Sequence, residues 1–369
     1  MAELLTISPK NKINLALKAD ELNAVLENAT PEQINAWVNN NIPDQGRLKM
    51  VIKFLLMKVK TMCLIMAIFL MTPHANAGDD KVVYGLDNRL DEYQVMDEKL
   101  KDLGDSTVAL VYEKNLMNNG DGTYTFTSDT LRSHKNPVCE DEPFIDQQTP
   151  AFCSGFLASP KVIASAGHCV NEYTLFKTAI VFNLKISDNY QDQSRITVSA
   201  EDVYFAVGIV GKKESGNNDW SLIELDRPVL NHIPLTITRR KKKIAINAPL
   251  IVIGHPWGFP RKYDSGGQVQ KSSGLYFNAN LDTYGGNSGS AVLNTETHEV
   301  EGILIAGNRD WAKDEAGSCY RTNYCPDSGC PTWEVITRVS NLSKALTKYE
   351  IDNLRNVLLE ILKTWARRF

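Results

Sequence analysis

The sequence predicts an all-β fold, antiparallel barrels or packed sheets, followed by one C-terminal α-helix. From Val108 onward, short runs rich in β-branched and aromatic residues alternate with turns: Val108–Tyr112, Phe152–Leu157, Lys161–Ala166, Ala179–Leu184, Val203–Val210, Trp220–Leu225, Leu250–Gly254, Tyr276–Leu281, Ser290–Leu293, Val300–Ala306 and Glu334–Val339. Strands this short and this numerous characterise barrels and sandwiches. Almost no helical periodicity lies between them. At the C-terminus, Ile351, Leu354, Leu358, Ile361, Leu362 and Trp365 recur at spacings of three and four, the apolar stripe of one amphipathic helix. Lys363, Arg367 and Arg368 suit the negative end of its dipole. Two antiparallel β-barrels over 106–345, closed by a helix over 346–369, fit this layout.

The totals agree without adding much. Of 369 residues, 43% are hydrophobic and 23% charged, an ordinary globular balance, and 23 Gly, 15 Pro and 13 Tyr lean towards loops and strands. A net charge of −4 gives no field that would favour nucleic acid or an anionic membrane as partner. The run 239–243 (Arg-Arg-Lys-Lys-Lys) reads as a solvated loop rather than a polyanion site.

The most apolar stretch, Met62 to Met71, follows Lys58 and Lys60 and precedes Ala75-Asn76-Ala77. That order of basic, apolar and small residues reads as a signal peptide over 57–77. Ten residues rise only about 15 Å as a helix, roughly half the hydrocarbon core, so no stable membrane span is expected. Cleavage after Ala77 would leave Gly78 first; Asp79-Asp80-Lys81 ahead of Val82 offers a second processing point. Residues 78–105 are polar and are expected to form a short pro-segment or N-terminal arm. Residues 1–56 admit two readings: a start placed too early, with Met57 or Met50 the true one, or a cytoplasmic extension ahead of a signal anchor. Within them, 12–38 has helical character, with a cap at Thr30-Pro31-Glu32-Gln33. A secreted or periplasmic protein is expected.

Cysteine usage points the same way. Cys63 lies inside the signal, leaving six: Cys139, Cys153, Cys169, Cys319, Cys325 and Cys330. An even set behind a signal peptide reads as disulfides. No C-x-x-C pair occurs and no His lies between Cys319 and Cys330, so zinc is disfavoured.

Three short blocks carry chemistry. Ser288 lies in Gly285-Gly286-Asn287-Ser288-Gly289-Ser290, where glycines permit a tight turn and leave the Gly286 and Ser288 N–H groups clear to meet an oxyanion. His168 lies in Ala166-Gly167-His168-Cys169, directly after a β-run, as a candidate base. Asp219 opens the run Asp219-Trp220-Ser221-Leu222, where burial would let it hold an imidazole in one tautomer. A nucleophile, a base and an orienting acid are the parts that amide hydrolysis by serine requires.

These blocks resemble the signature motifs of the trypsin/chymotrypsin-like serine peptidases, in that family's His, Asp, Ser order, across roughly 82–345. The bacterial branch with glutamyl endopeptidases is similar in Gly-Gly-Asn-Ser-Gly-Ser and in Val292-Leu293-Asn294. The resemblance implies a chymotrypsin-like pair of barrels and a secreted serine endopeptidase acting on protein or peptide substrates through an acyl-enzyme. It implies His168, Asp219 and Ser288 as triad, Gly286 and Ser288 as oxyanion hole, no metal or organic cofactor, and a monomer. A Cys153–Cys169 bridge would pin the hairpin carrying the base; the other four cysteines allow three pairings. Animal trypsins have Asp before the serine; Asn287 stands there, which removes their activation switch. Cues to specificity conflict. Asp282, six residues before Ser288, matches the trypsin acid that binds Arg or Lys, while Thr283 matches a threonine of glutamyl endopeptidases. The helping histidine of the latter is unmatched, Leu304 standing near its place. A basic preference is favoured and suits self-processing after Lys81. Gly254-His255-Pro256-Trp257-Gly258 reads as a structural turn beside the pocket, and 319–330 as a disulfide-pinned loop near the cleft. The alternative function is a catalytically silent peptidase-like binding or adhesion module. An α/β-hydrolase esterase would need a G-x-S-x-G elbow and the histidine last, and neither occurs.

Overall fold

The computed structural model describes residues 79–80, 83–189, 191–238, 243–326 and 330–368. The signal segment, the extension before it, the Lys81–Val82 site and residues 239–242 of the basic run lie outside the described residues. Contacts gather the described residues up to Leu346 into one unit.

The first barrel is built from β1 (Thr107–Tyr112), β2 (Ala151–Ser159), β3 (Val162–Ser165), β4 (Thr178–Val181), β5 (Val203–Ser215) and β6 (Asn218–Leu225). They close in the order β5-β6-β3-β2-β1-β4, antiparallel throughout. Alternate side chains turn inward, so Ala109, Val111, Ala179, Val181 and Val203 form one buried cluster. Closure removes the exposed strand edges that an open sheet would present.

The second barrel uses β7 (Pro249–Gly254), β8 (Lys262–Ser272), β9 (Tyr276–Ala279), β10 (Ala291–Asn294), β11 (Val300–Asn308) and β12 (Glu334–Arg338). Their order is β11-β10-β7-β8-β9-β12, closed by the β11–β12 pairing. Leu250, Val252, Val269, Phe277, Val292, Leu304 and Ile336 fill it. Leu304 is therefore a core residue, fully buried. The two expected barrels are thus present, and the expected C-terminal helix is observed as Ser343–Arg368. The strand absent from the sequence reading is β8. Its Lys262-Tyr-Asp-Ser-Gly-Gly-Gln has no apolar alternation, because Lys262 and Asp264 are buried in polar networks and Gly267 admits Leu281, whose side chain a Cβ there would overlap.

Residues 83–105, expected to be an irregular arm, are woven into the barrel unit, and no seam falls at 105/106. Val83–Tyr84 pairs in parallel with Tyr324–Cys325, and Val83 and Tyr84 are buried. A short helix α1 (Glu98–Gly104) is capped by Asp97, whose side chain accepts from the Lys99 N–H, and Thr107 donates to the Gly104 carbonyl. Buried charges hold the arm. Glu92 accepts from the Arg261 Nη2 at 2.5 Å, from its Nε at 3.2 Å and from the Tyr263 hydroxyl at 2.7 Å. Arg261 also meets Asp105 at 3.0 Å, and Lys262 pairs with Asp91. Although burial opposes its charge, the Glu92 carboxyl is held below the usual range by Arg261. Removing one member of a buried pair leaves its partner charged without compensation. Arg261→Met is expected to lower unfolding free energy by about 3–5 kcal/mol, read from the urea midpoint. A loss below about 1 kcal/mol would contradict the role given to this network.

Candidate active site

The His168 and Ser288 blocks are each shaped by a glycine at which a Cβ would collide with neighbouring backbone. Gly167, at the end of β3, lies against the start of β6: a Cβ there would overlap the Lys213 carbonyl oxygen and stand 2.5 Å from Asp219 Oδ1. The close approach lets Asp219 hold His168 twice. Its Oδ1 accepts the His168 backbone N–H at 3.0 Å, and its Oδ2 lies 2.5 Å from the His168 Nδ1. The Asp219 side chain is 9% exposed and that of His168 31%, so the carboxylate is shielded while the imidazole reaches the surface. With Nδ1 turned to the carboxylate, Nε2 is the nitrogen that can take a proton.

The turn around Ser288 is fixed from both sides. Gly286 and Gly289 have φ of +84° and +95°, a region L-residues avoid. A Cβ on Gly289 would overlap the Ser154 carbonyl oxygen and the Ser165 Oγ, so the turn is pressed onto β2 and β3 of the first barrel. The Ser154 N–H donates to the Ser288 carbonyl at 2.8 Å. Its hydroxyl accepts the His255 N–H at 2.9 Å and donates to the Gly286 carbonyl at 2.9 Å. The Gly289 N–H donates to the Leu304 carbonyl at 2.8 Å, and the Ser290 hydroxyl to Asn287 Oδ1 at 2.8 Å.

These bonds also aim the neighbouring amides. In a trans peptide the carbonyl and the following N–H point in opposite directions, and no cis peptide occurs among the described residues. The Gly285 carbonyl accepts from the Trp257 N–H at 2.5 Å, so the Gly286 N–H points away from Trp257. The Asn287 carbonyl accepts from the Ser290 N–H at 3.0 Å, which turns the Ser288 N–H away from Ser290. Trp257 makes its bond from a left-handed backbone (φ 52°, ψ 18°) within the His255–Gly258 turn. His255, wholly buried, has its basicity pushed down to about 3 by burial and stays neutral, with Nδ1 2.9 Å from the Phe259 carbonyl.

A disulfide lies beside both His168 and the Ser288 turn. Cys153–Cys169 is present, and the remaining cysteines pair as Cys139–Cys319 and Cys325–Cys330. Cys169 Sγ lies 3.6 Å from the Ser288 carbonyl oxygen and within 4.8 Å of a His168 ring nitrogen. Cys153, His168 and Cys169 form a cluster of metal-binding residue types, but two of the three are joined in the disulfide and offer no thiolate. Sequence reasoning missed Ser154, while it named the 254–258 turn that holds Trp257 as structural. The Cys153-Ser154-Gly155 triplet was a signal for Ser154, since a Cβ on Gly155 would lie 2.8 Å from Ile163 and 2.9 Å from the Ala164 carbonyl oxygen, a close packing of β2 on β3.

The two specificity candidates have separate surroundings. Asp282 is buried, its Oδ1 accepting the Tyr84 N–H at 2.7 Å and its Oδ2 the Asn88 N–H at 2.9 Å. Its own N–H donates to Asp264 Oδ2 at 2.7 Å. Burial, and then mutual repulsion, raises the pair above the ordinary carboxylate range. Thr283 is buried too, and its hydroxyl donates to Glu334 Oε2 at 2.6 Å. Glu334 belongs to no motif, and the sequence reading passed over it.

Residues 153–303 match the family described as the trypsin-like peptidase domain. A glutamyl endopeptidase of Bacillus licheniformis is 23% identical over 143 residues, which are 38% of this chain and 45% of that protein, so the chain spans less than half of that relative. Among solved structures, the VesB protease of Vibrio cholerae aligns over 67% of this chain and 64% of its own, with 16% identity and a TM-score of 0.41. A Glu endopeptidase structure aligns over 72% of this chain and 99% of its own, again with 16% identity and a TM-score of 0.41. The stretch that resembles this family, 153–303, contains all three blocks.

Two outcomes follow from this geometry. Gly289→Ala should cost more than about 2 kcal/mol in chemical denaturation, since the added methyl meets backbone in a conformation alanine avoids; a near-neutral result would refute the contact with Ser154. The Asp264–Asp282 pair prefers the protonated form when folded. Its stabilisation is complete at acid pH, below the carboxylate values of the unfolded chain, and is lost as pH rises through the raised folded values. The melting temperature of Asp264→Asn relative to the native chain should therefore climb between about pH 5 and about pH 8. A difference that stays constant with pH would remove the repulsion from the account.

Proposed function

We propose that this protein is an exported serine endopeptidase that hydrolyses peptide bonds through Ser288, His168 and Asp219. The observation that carries the reading is the doubly hydrogen-bonded His168–Asp219 pair next to a Ser288 turn held by Ser154 and by the Cys153–Cys169 bridge. Ser288 Oγ attacks the scissile carbonyl carbon while His168 Nε2 takes its proton. Asp219 keeps the other nitrogen protonated and stabilises the imidazolium. The Gly286 and Ser288 N–H groups receive the oxyanion. Collapse of the tetrahedral species breaks the C–N bond, and His168 delivers its proton to the departing amine. Water, deprotonated by the same imidazole, then releases the acid and restores the serine.

Export is supported by the signal-like run ending at Ala77 and by three disulfides among the described residues, which belong to oxidising compartments. Among the described residues no helix is long and apolar enough to cross a membrane. One chain supplies the three groups, and we read the working form as a monomer that needs no metal or organic cofactor. A silent adhesion module is the competing reading, and a fluorophosphonate probe separates the two. The native chain should label at Ser288, Ser288→Ala should not, and Asp219→Asn should lower kcat by about 10⁴-fold while remaining folded. Folded native protein that neither labels nor cleaves a mixed peptide library would end the proteolytic reading.

A further inference from the structure

We infer that Asp310 is a positioning residue for the oxyanion hole: its carboxylate holds the Gly285 N–H and thereby fixes the direction of the Gly286 N–H. This deepens the endopeptidase reading above and rests on it. Asp310 lies just beyond β11, outside the three blocks, and the sequence reading passed over it.

The peptide between Gly285 and Gly286 needs an external hold. A glycine on each side leaves no Cβ to oppose its rotation, so either orientation of the Gly286 N–H is sterically open. Hydrogen bonds therefore decide, and both polar groups of Gly285 are engaged. Its carbonyl accepts the Trp257 N–H at 2.5 Å, and its N–H donates to Asp310 Oδ2 at 2.8 Å. Fixing the amide and the carbonyl of one residue leaves its two dihedrals little freedom, and the next N–H inherits its direction across a planar peptide. Of the two bonds, the one to Asp310 is made to a carboxylate, and such bonds are about twice as strong as neutral ones.

Asp310 is itself held firmly. It is buried, and Asn323 grips the backbone around it. The Asn323 side-chain amide donates to the Arg309 carbonyl at 2.7 Å, and its backbone N–H donates to the Asp310 carbonyl at 2.7 Å. Beyond Asp310, Trp311–Lys313 pairs antiparallel with Tyr320–Thr322, and the adjoining Cys319 is bridged to Cys139. The disulfide-pinned 319–330 loop thus reaches the site through Asn323. Trp311 supports the second anchor. Its ring lies 5.4 Å from that of Trp257, whose N–H donates from a left-handed backbone, and 5.0 Å from that of Tyr284, which precedes Gly285. The fit is close: a Cβ on Gly285 would lie 3.2 Å from Asp310 Oδ2 and press the carboxylate away.

The test follows a peptide amide substrate, for which slow chemistry lets KM report binding, alongside a peptide aldehyde of the same sequence. The Ser288 hydroxyl adds to the aldehyde carbonyl, so the adduct places its oxygen in the hole. Asp310→Ala should lower kcat by about tenfold or more, up to the roughly 10²–10³ that loss of a whole oxyanion donor costs. It should weaken the aldehyde by a similar factor while KM moves less than about threefold. Asp310→Asn keeps an acceptor in place without the charge and should recover at least about fivefold of that loss. A loss of kcat under about tenfold in Asp310→Ala, a rise of KM equal to the fall in kcat, or an Asn variant no better than the Ala variant would overturn the assignment. Should Asp310→Ala not fold, Asp310→Glu is read in its place: a carboxylate one methylene further out must also cost kcat about tenfold with KM held, and native kcat there rejects the inference. A native chain that neither cleaves nor labels at Ser288 defeats the endopeptidase reading itself, whereas an active native chain with an equally active Asp310→Ala defeats only the role of Asp310.

Discussion

One close contact between backbones organises the candidate site: the Gly289 turn of the second barrel pressed onto Ser154 of the first. Because residue 289 has no side chain, the turn approaches β2 closely enough for the Ser154 N–H to reach the Ser288 carbonyl. That bond positions the serine relative to Cys153, one residue away on the same strand, and hence relative to Cys169 and His168 across the disulfide. The Ser154 hydroxyl extends the same contact to His255 and Gly286. A site assembled between two barrels thus depends on a few main-chain hydrogen bonds, whose directions are far stiffer than those of flexible side chains.

The distribution of buried acids separates structural from chemical work. Asp91 and Glu92 meet Lys262 and Arg261, and Asp282 meets amides of the arm. Pairing a buried charge costs desolvation on both sides, so such contacts serve better to specify one arrangement of the arm than to add stability. Asp219 is the shielded acid whose partner, His168, reaches solvent. Glu334 lies against a bare strand backbone, between the arm and the Ser288 turn. Similar burial therefore accompanies different roles, and the partner rather than the residue type decides which.

Much was legible in the linear order where the physics is local. The glycines of Gly-Gly-Asn-Ser-Gly mark a turn needing positive φ at 286 and 289, and the structure has it at both. Apolar runs of four to eight residues became the barrel strands, with ends shifted by two residues at most except that β4 stops at Val181 and β5 continues to Ser215, because alternate burial is written into the period of the chain. The exception is instructive. β8 satisfies its inward face with Lys262, Asp264 and Gly267, whose partners Asp91, Asp282 and Leu281 lie 171, 18 and 14 residues away, so no short window of sequence contains the reason it is a strand.

The sequence alone therefore established the class of fold, and it offered three candidate blocks and an oxidising destination as expectations, since each follows from residue type, spacing or order. Only the folded chain could pair Cys139 with Cys319 across 180 residues, commit Asp282 to the arm, or bring Glu334 to Thr283. Those outcomes depend on which distant surfaces the barrels bring within hydrogen-bonding distance. Such distances arise from closure of the strands, and composition or periodicity carries no record of them.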